Sequence, residues 1–170
     1  MSDFAFKKLP RSLLSEGGKR QRLFELIWRA IADQVEDPPF ITDPDRLQKI
    51  PVEARTIYLL WYFQCEAAGG GIESFVLGSP AASIRETHTA LQLVGAAKLV
   101  RYLEAAIAIA RLGPAEFKKS PDQTWLRQFS SIDDHPTLQS ISKSGYAVMD
   151  SLTDAVLAFA RANEQILFEP

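Results

Sequence analysis

The sequence predicts an all-α fold: a single-domain bundle of about six helices around a buried central aromatic helix. Three observations carry this. Apolar residues recur at helical spacing along most of the chain, proline and glycine stand where helices start and stop, and alternating Val/Ile/Thr-rich strands bounded by hairpin dipeptides are absent. A length of 170 residues, with 46% hydrophobic and 24% charged side chains, suits residues 1–170 folding as one domain with one substantial core, far from the composition of disorder.

Residues 1–18 are polar and mixed and read as a flexible N-terminal arm. The first helix is predicted over Lys19 to Val35, with Leu23, Ile27, Ala30 and Ile31 on one face and Asp37-Pro38-Pro39 as its stop. A loop rich in Pro and Asp follows as far as Pro51. The second helix starts at Pro51, suited to a first helical position, and ends at Gly69, which can take the left-handed conformation of a helix terminus. Within it, Ile57-Tyr58-Leu59-Leu60-Trp61-Tyr62-Phe63 is apolar on every side, the mark of a helix surrounded by others. Ile72 to Leu77 adds a short helical piece closed by Gly78.

Ser79-Pro80 supplies a cap followed by proline, so a third helix runs from about Pro80 to Val94 and stops at Gly95. A fourth spans about Ala97 to Leu112, its charges Lys98, Arg101, Glu104 and Arg111 forming one polar stripe before Gly113-Pro114. Ser120-Pro121 opens a short fifth helix with Trp125, Leu126 and Phe129, followed by a polar loop over Ser130 to Ser144. The last helix, about Tyr146 to Leu167, buries Met149, Leu152, Val156, Phe159 and Ile166 and shows Asp150, Asp154, Arg161 and Glu164 to water. Residues 51–112 form the core segment of this plan.

The longest apolar runs fall far short of the roughly 20 residues a membrane-spanning helix needs. The start of the chain lacks the apolar stretch and small-residue site of a secretory signal, and Cys65 is the one cysteine. A cytoplasmic protein without disulfides is expected. A net charge of −2 is too mild to argue by itself for nucleic acid or an anionic membrane as partner.

No catalytic, cofactor-binding or metal-ligating set is expected. His88 has no second histidine at helical metal-pair spacing and reads as a surface or half-buried side chain. Asp133-Asp134-His135 matches no metal motif and reads as a solvated turn before Pro136. Cys65 reads as a small buried hydrophobe. Glu66 ends a very apolar helix, so a partly buried carboxylate tying down the glycine turn is expected there. Gly69-Gly70-Gly71 follows a helix rather than a strand and lacks the Gly-Lys-Ser/Thr of a phosphate loop, leaving a tight turn between helices. Lys7, Lys8, Arg11, Lys19, Arg20, Arg22 and Arg29 lack interleaved aromatics and read as solvated, so direct nucleic acid binding is not expected. A rival reading places a small ligand or a hydrolase-type site beside the glycine turn, lined by Glu66, Tyr62, Arg85 or His88.

Charge is segregated along the chain. Residues 1–32 hold seven basic and three acidic side chains, whereas residues 33–53 hold six acidic and two basic, as do residues 133–170. Asp33, Glu36, Asp37, Asp43, Asp45, Asp150 and Asp154 are therefore the candidate acidic interaction surface.

The stretch from Arg55 to Ala110 resembles a family of small bacterial all-helical proteins, mostly uncharacterised, that includes a DNA-mimic protein. The likeness lies in Arg55-Thr56 through the aromatic run to Glu66, then Gly70-Gly71 and Phe75, then Ala90-Leu91, Val94-Gly95-Ala96 and Glu104-Ala105-Ala106. The closing Ala155 to Asn163 fits as well, bringing the likeness to about two thirds of the chain. Ile72 departs from it by standing where an aromatic is usual, and Gly78 stands near a usual Asn. The resemblance implies a motif at Glu66, Gly69, Gly70, Gly71 and Phe75, and a non-enzymatic, cofactor-free protein modulating a DNA-binding or toxin-like protein partner. A homodimer follows by the same analogy. Such mimicry needs carboxylates spaced like a duplex carrying one charge per roughly 1.7 Å of axis.

Overall fold

The computed structural model describes residues 4–15, 18–37, 41–42, 44–111 and 138–170. The fold is all-α. A 3-10 turn, Arg11–Ser15, precedes α1 (Arg20–Val35), α2 (Pro44–Lys49), α3 (Val52–Gly78), α4 (Ala81–Leu93), α5 (Ala97–Arg111), α6 (Leu138–Ala162) and α7 (Glu164–Leu167). Between α1 and α2, β1 (Glu36–Asp37) pairs antiparallel with β2 (Ile41–Thr42), Glu36 opposite Thr42. The loop expected before Pro51 thus holds one small β pair and the short helix α2. The expected polar loop over Ser130 to Ser144 is helical from Leu138 onward, and the last helix stops at Ala162, leaving α7 as a separate turn. The predicted fifth helix lies outside the described residues.

The chain divides into two compact units, one of residues Met1–Trp61 with Thr153–Pro170, the other of Tyr62–Leu152. In the first, α1 buries Leu23, Phe24, Ile27, Ile31 and Val35, a helical stripe repeating every three or four residues. Trp61 of α3 takes the edge of Phe24 at 5.0 Å and stacks on Trp28 at 5.2 Å, so aromatic geometry fixes α3 against α1. Tyr58, 2% exposed, donates its hydroxyl to Glu36 Oε1 at 2.7 Å, which satisfies a polar group in an apolar setting.

The chain ends meet in this unit. Leu9 N–H donates to the Leu167 carbonyl at 2.8 Å and Glu169 N–H donates to the Leu9 carbonyl at 2.9 Å, with Leu9, Leu167 and Phe168 all buried. Gln34 reads the backbone of Lys7 in both directions, accepting from its N–H at 2.8 Å and donating to its carbonyl at 3.0 Å. Where the sequence suggests a flexible arm over residues 1–18, the structure therefore finds Leu9 held as a core residue.

In the second unit Phe63, wholly buried, meets Phe75 edge-on at 5.1 Å. The two rings lie on either side of a kink in α3. Gly71 there has φ 82 and ψ 167, a region essentially reserved for glycine, so the helix breaks and restarts at Ile72. The positive-φ residue is Gly71, not the predicted Gly69. This difference is measurable. Gly71→Ala is expected to destabilise the protein by about 1–3 kcal/mol, whereas Gly69→Ala, with open space around the added methyl, should be neutral or stabilising by up to ~1 kcal/mol. Urea unfolding of the two variants checks the order; equal costs would contradict it.

A second glycine closes α4. Gly95 has φ 73, its N–H donates to Gln92, and the Ala96 N–H reaches back to Leu91 at 2.9 Å, the paired bonds of a Schellman ending. That turn lets α5 pack back on α4.

Candidate functional site

Around the glycine turn, the buried face of α3 is set by Phe63 and Ala67, four residues apart. Cys65 sits about 200° round the helix from Phe63 and is exposed, so the expectation of a buried thiol is corrected. Glu66 is also exposed rather than partly buried. Gly69 and Gly70 are exposed, Gly71 and Phe75 buried, and Ser74 donates its hydroxyl to the Gly70 carbonyl at 2.6 Å. Glu66, Gly69 and Gly70 thus lie at the surface and Gly71 and Phe75 in the core.

His88 departs from its reading as a surface or half-buried side chain, since it is 6% exposed on α4. Its Nε2 lies 2.8 Å from Oε1 of Glu104 on α5, and with a carboxylate as acceptor the ring proton belongs on Nε2. Tyr62 is half-buried and Arg85 exposed, and the carboxylate facing His88 comes from Glu104, not Glu66. Sequence reasoning passed over this pair although a signal existed. Both residues lie within about two to three turns of Gly95, and an antiparallel hairpin brings such positions side by side. Glu104→Ala, which removes the Glu104 acceptor from a buried ring, is expected to cost about 1–3 kcal/mol in urea unfolding, while Glu104→Gln keeps an acceptor there and should cost less. Equal effects would deny the bond a stabilising role.

Among the candidate acids, Asp33 on α1 and Asp45 on α2 are exposed in the first unit, and Asp150 on α6 is exposed in the second. Glu36 is half-buried under the Tyr58 hydroxyl. Asp37 lies in β1, and Asp43, like Asp133, Asp134 and His135, falls outside the described residues. Asp154 is exposed, yet both its oxygens accept from Arg20 Nη1 at 2.7 Å. That hydrogen bond, and then the carboxylate's charge, hold the Arg20 guanidinium above its ordinary pKa. Glu164 of α7 pairs likewise with Arg11 at 2.5 Å. Two of the basic residues read as solvated therefore lie on acids of the C-terminal segment.

Among the described residues, no three His, Cys, Asp or Glu side chains gather into a group that could hold a metal ion, and no helix is long and apolar enough to cross a membrane. No curated protein and no solved structure matches the chain. One family model, described as DMP19-like protein, matches residues 48–163, from within α2 to the end of α6 and well over half the chain. The aromatic helix, its glycine kink, the α4–α5 hairpin and the whole of α6 fall inside the match, and the chain belongs to the DMP19-like protein family.

Proposed function

We propose that this chain is a cytoplasmic, non-enzymatic interaction protein of the DNA-mimic type, which presents carboxylates to the basic surface of a DNA-binding protein. Membership of the DMP19-like family over residues 48–163 is the observation that carries the reading. The exposure of Asp33 and Asp150 supports it. The physical requirement is modest in number but strict in kind. Each carboxylate must stay charged in water and unpaired with the chain's own cations, so that its transfer to a basic groove releases counter-ions there as a phosphate would.

A net charge of −2 makes this a small electrostatic footprint, so binding should rest on a few local acids rather than on the field of the whole molecule. The expected assembly is this chain, alone or as a homodimer, with one protein partner and neither cofactor nor nucleic acid. Affinity capture from a native bacterial lysate tests the reading, with wild type run beside the Asp33→Asn/Asp150→Asn variant. Wild type should retain a DNA-binding protein that raised salt releases and that the variant fails to hold. Equal capture by both chains would contradict a carboxylate-led interaction.

A further inference from the structure

We infer that the N-terminal basic segment is an internal counter-ion strap: Arg11 and Arg20 occupy carboxylates that a basic partner must uncover before it can use them. The inference rests on the carboxylate-presenting reading above and adds its regulation.

The geometry is specific. The Leu9 bridge to Phe168 fixes the register of the two chain ends, and from it Arg11 reaches Glu164 on α7 at 2.5 Å. Lys8 Nζ donates to the Gln165 carbonyl at 2.6 Å beside it. Arg20, at the start of α1, takes both oxygens of Asp154 on α6. All four charged residues belong to one compact unit, so these pairs form inside it.

Anchorage and release are separate here. Apolar burial of Leu9, Leu167 and Phe168 holds the backbone, whereas the guanidinium side chains of Arg11 and Arg20 are 60% and 72% exposed. Exposed pairs of this kind are weak and screened by salt, so a cation of a partner can replace the arginine without unfolding anything. Because the strap is tethered, its arginines compete at high effective concentration and lower the apparent affinity of any such partner. Cleaving or neutralising the strap would then raise it.

The test uses the full chain, a fluorescent octa-arginine peptide as the basic probe, and carbodiimide labelling of carboxylates read by mass spectrometry. Arg11→Gln/Arg20→Gln should speed labelling at Asp154 and Glu164 and tighten peptide binding roughly three- to tenfold at low salt. The same charge change at the exposed Arg29 and Arg101 should do neither. Adding Asp154→Asn and Glu164→Gln should cancel the gain. If labelling at Asp154 and Glu164 does not change, or if the Arg29/Arg101 control tightens binding equally, the strap is overturned. Should wild type and every strap variant bind the peptide alike, through Asp33 and Asp150, the strap fails and the carboxylate-presenting reading stands. Should no variant bind it at all, both fail.

Discussion

Phe63→Ala is expected to remove about 3–5 kcal/mol of stability, a large share of the roughly 5–15 kcal/mol available to a domain. The ring is wholly buried and stands edge-on to Phe75 across the Gly71 kink, so truncation opens a cavity at the point where α3 turns. A melting temperature lower by about 6–20 °C follows for a chain of this size. Phe63→Leu retains most of the volume and should lose less than half as much. The ring pair adds a term of its own, and a double-mutant cycle with Phe75→Ala should show a coupling of about 0.5–1.5 kcal/mol. Differential scanning calorimetry of the five chains gives all these numbers, and strict additivity in the cycle would exclude the edge-on contact as an energetic unit.

Leu9→Ala carries the second large effect, about 2–5 kcal/mol. Residues 1–18 alone give no hint of it, because Leu9 stands among Lys7, Lys8, Pro10 and Arg11 without any helical period. The structure holds it 1% exposed between the ends of the chain, bonded through its backbone to Leu167 and Glu169. In a solvated arm the same substitution would fall within about 0.5 kcal/mol. Amide hydrogen exchange supplies a companion measurement: the N–H groups of Leu9 and Glu169 should be protected in the wild type and lose protection together in the variant.

What could be read from the sequence followed the strength of local signals. The stripe of α1, the apolar run from Ile57 to Phe63 and the Gly95 stop each rest on residues close together in the chain, and each lies where the sequence places it. The glycine triplet was legible as a bend, but three adjacent glycines are locally equivalent. The structure gives the positive φ to Gly71, a choice that no residue pattern within the triplet marks. Side-chain fates that depend on distant partners were the least legible. Cys65 and Glu66 turn to solvent because Phe63 and Ala67 take the buried side of the helix, and Asp154 meets Arg20 across 134 positions of chain. Glu36 likewise reads as a surface acid until Tyr58, 22 residues on, is seen to donate to it. The His88–Glu104 pair lies between these cases, since the Gly95 hairpin that joins α4 to α5 was itself readable.

The candidate acidic surface divides by the same logic. Periodicity and composition locate the acids; pairing decides which of them keep a charge for a partner. Asp33 and Asp150 are exposed, whereas Asp154 and Glu164 lie under arginines of the first unit. A carboxylate already paired at the surface contributes little to a new interface until its cation leaves.

Competition with DNA tests the central claim most directly. With the captured partner purified, its complex with this chain is titrated with short duplex DNA and the bound fraction followed by fluorescence anisotropy. Mimicry of DNA makes binding mutually exclusive, so that duplex displaces the chain and both affinities fall steeply as salt is raised. A ternary complex of chain, partner and duplex, with each affinity unaltered by the other ligand, would contradict it.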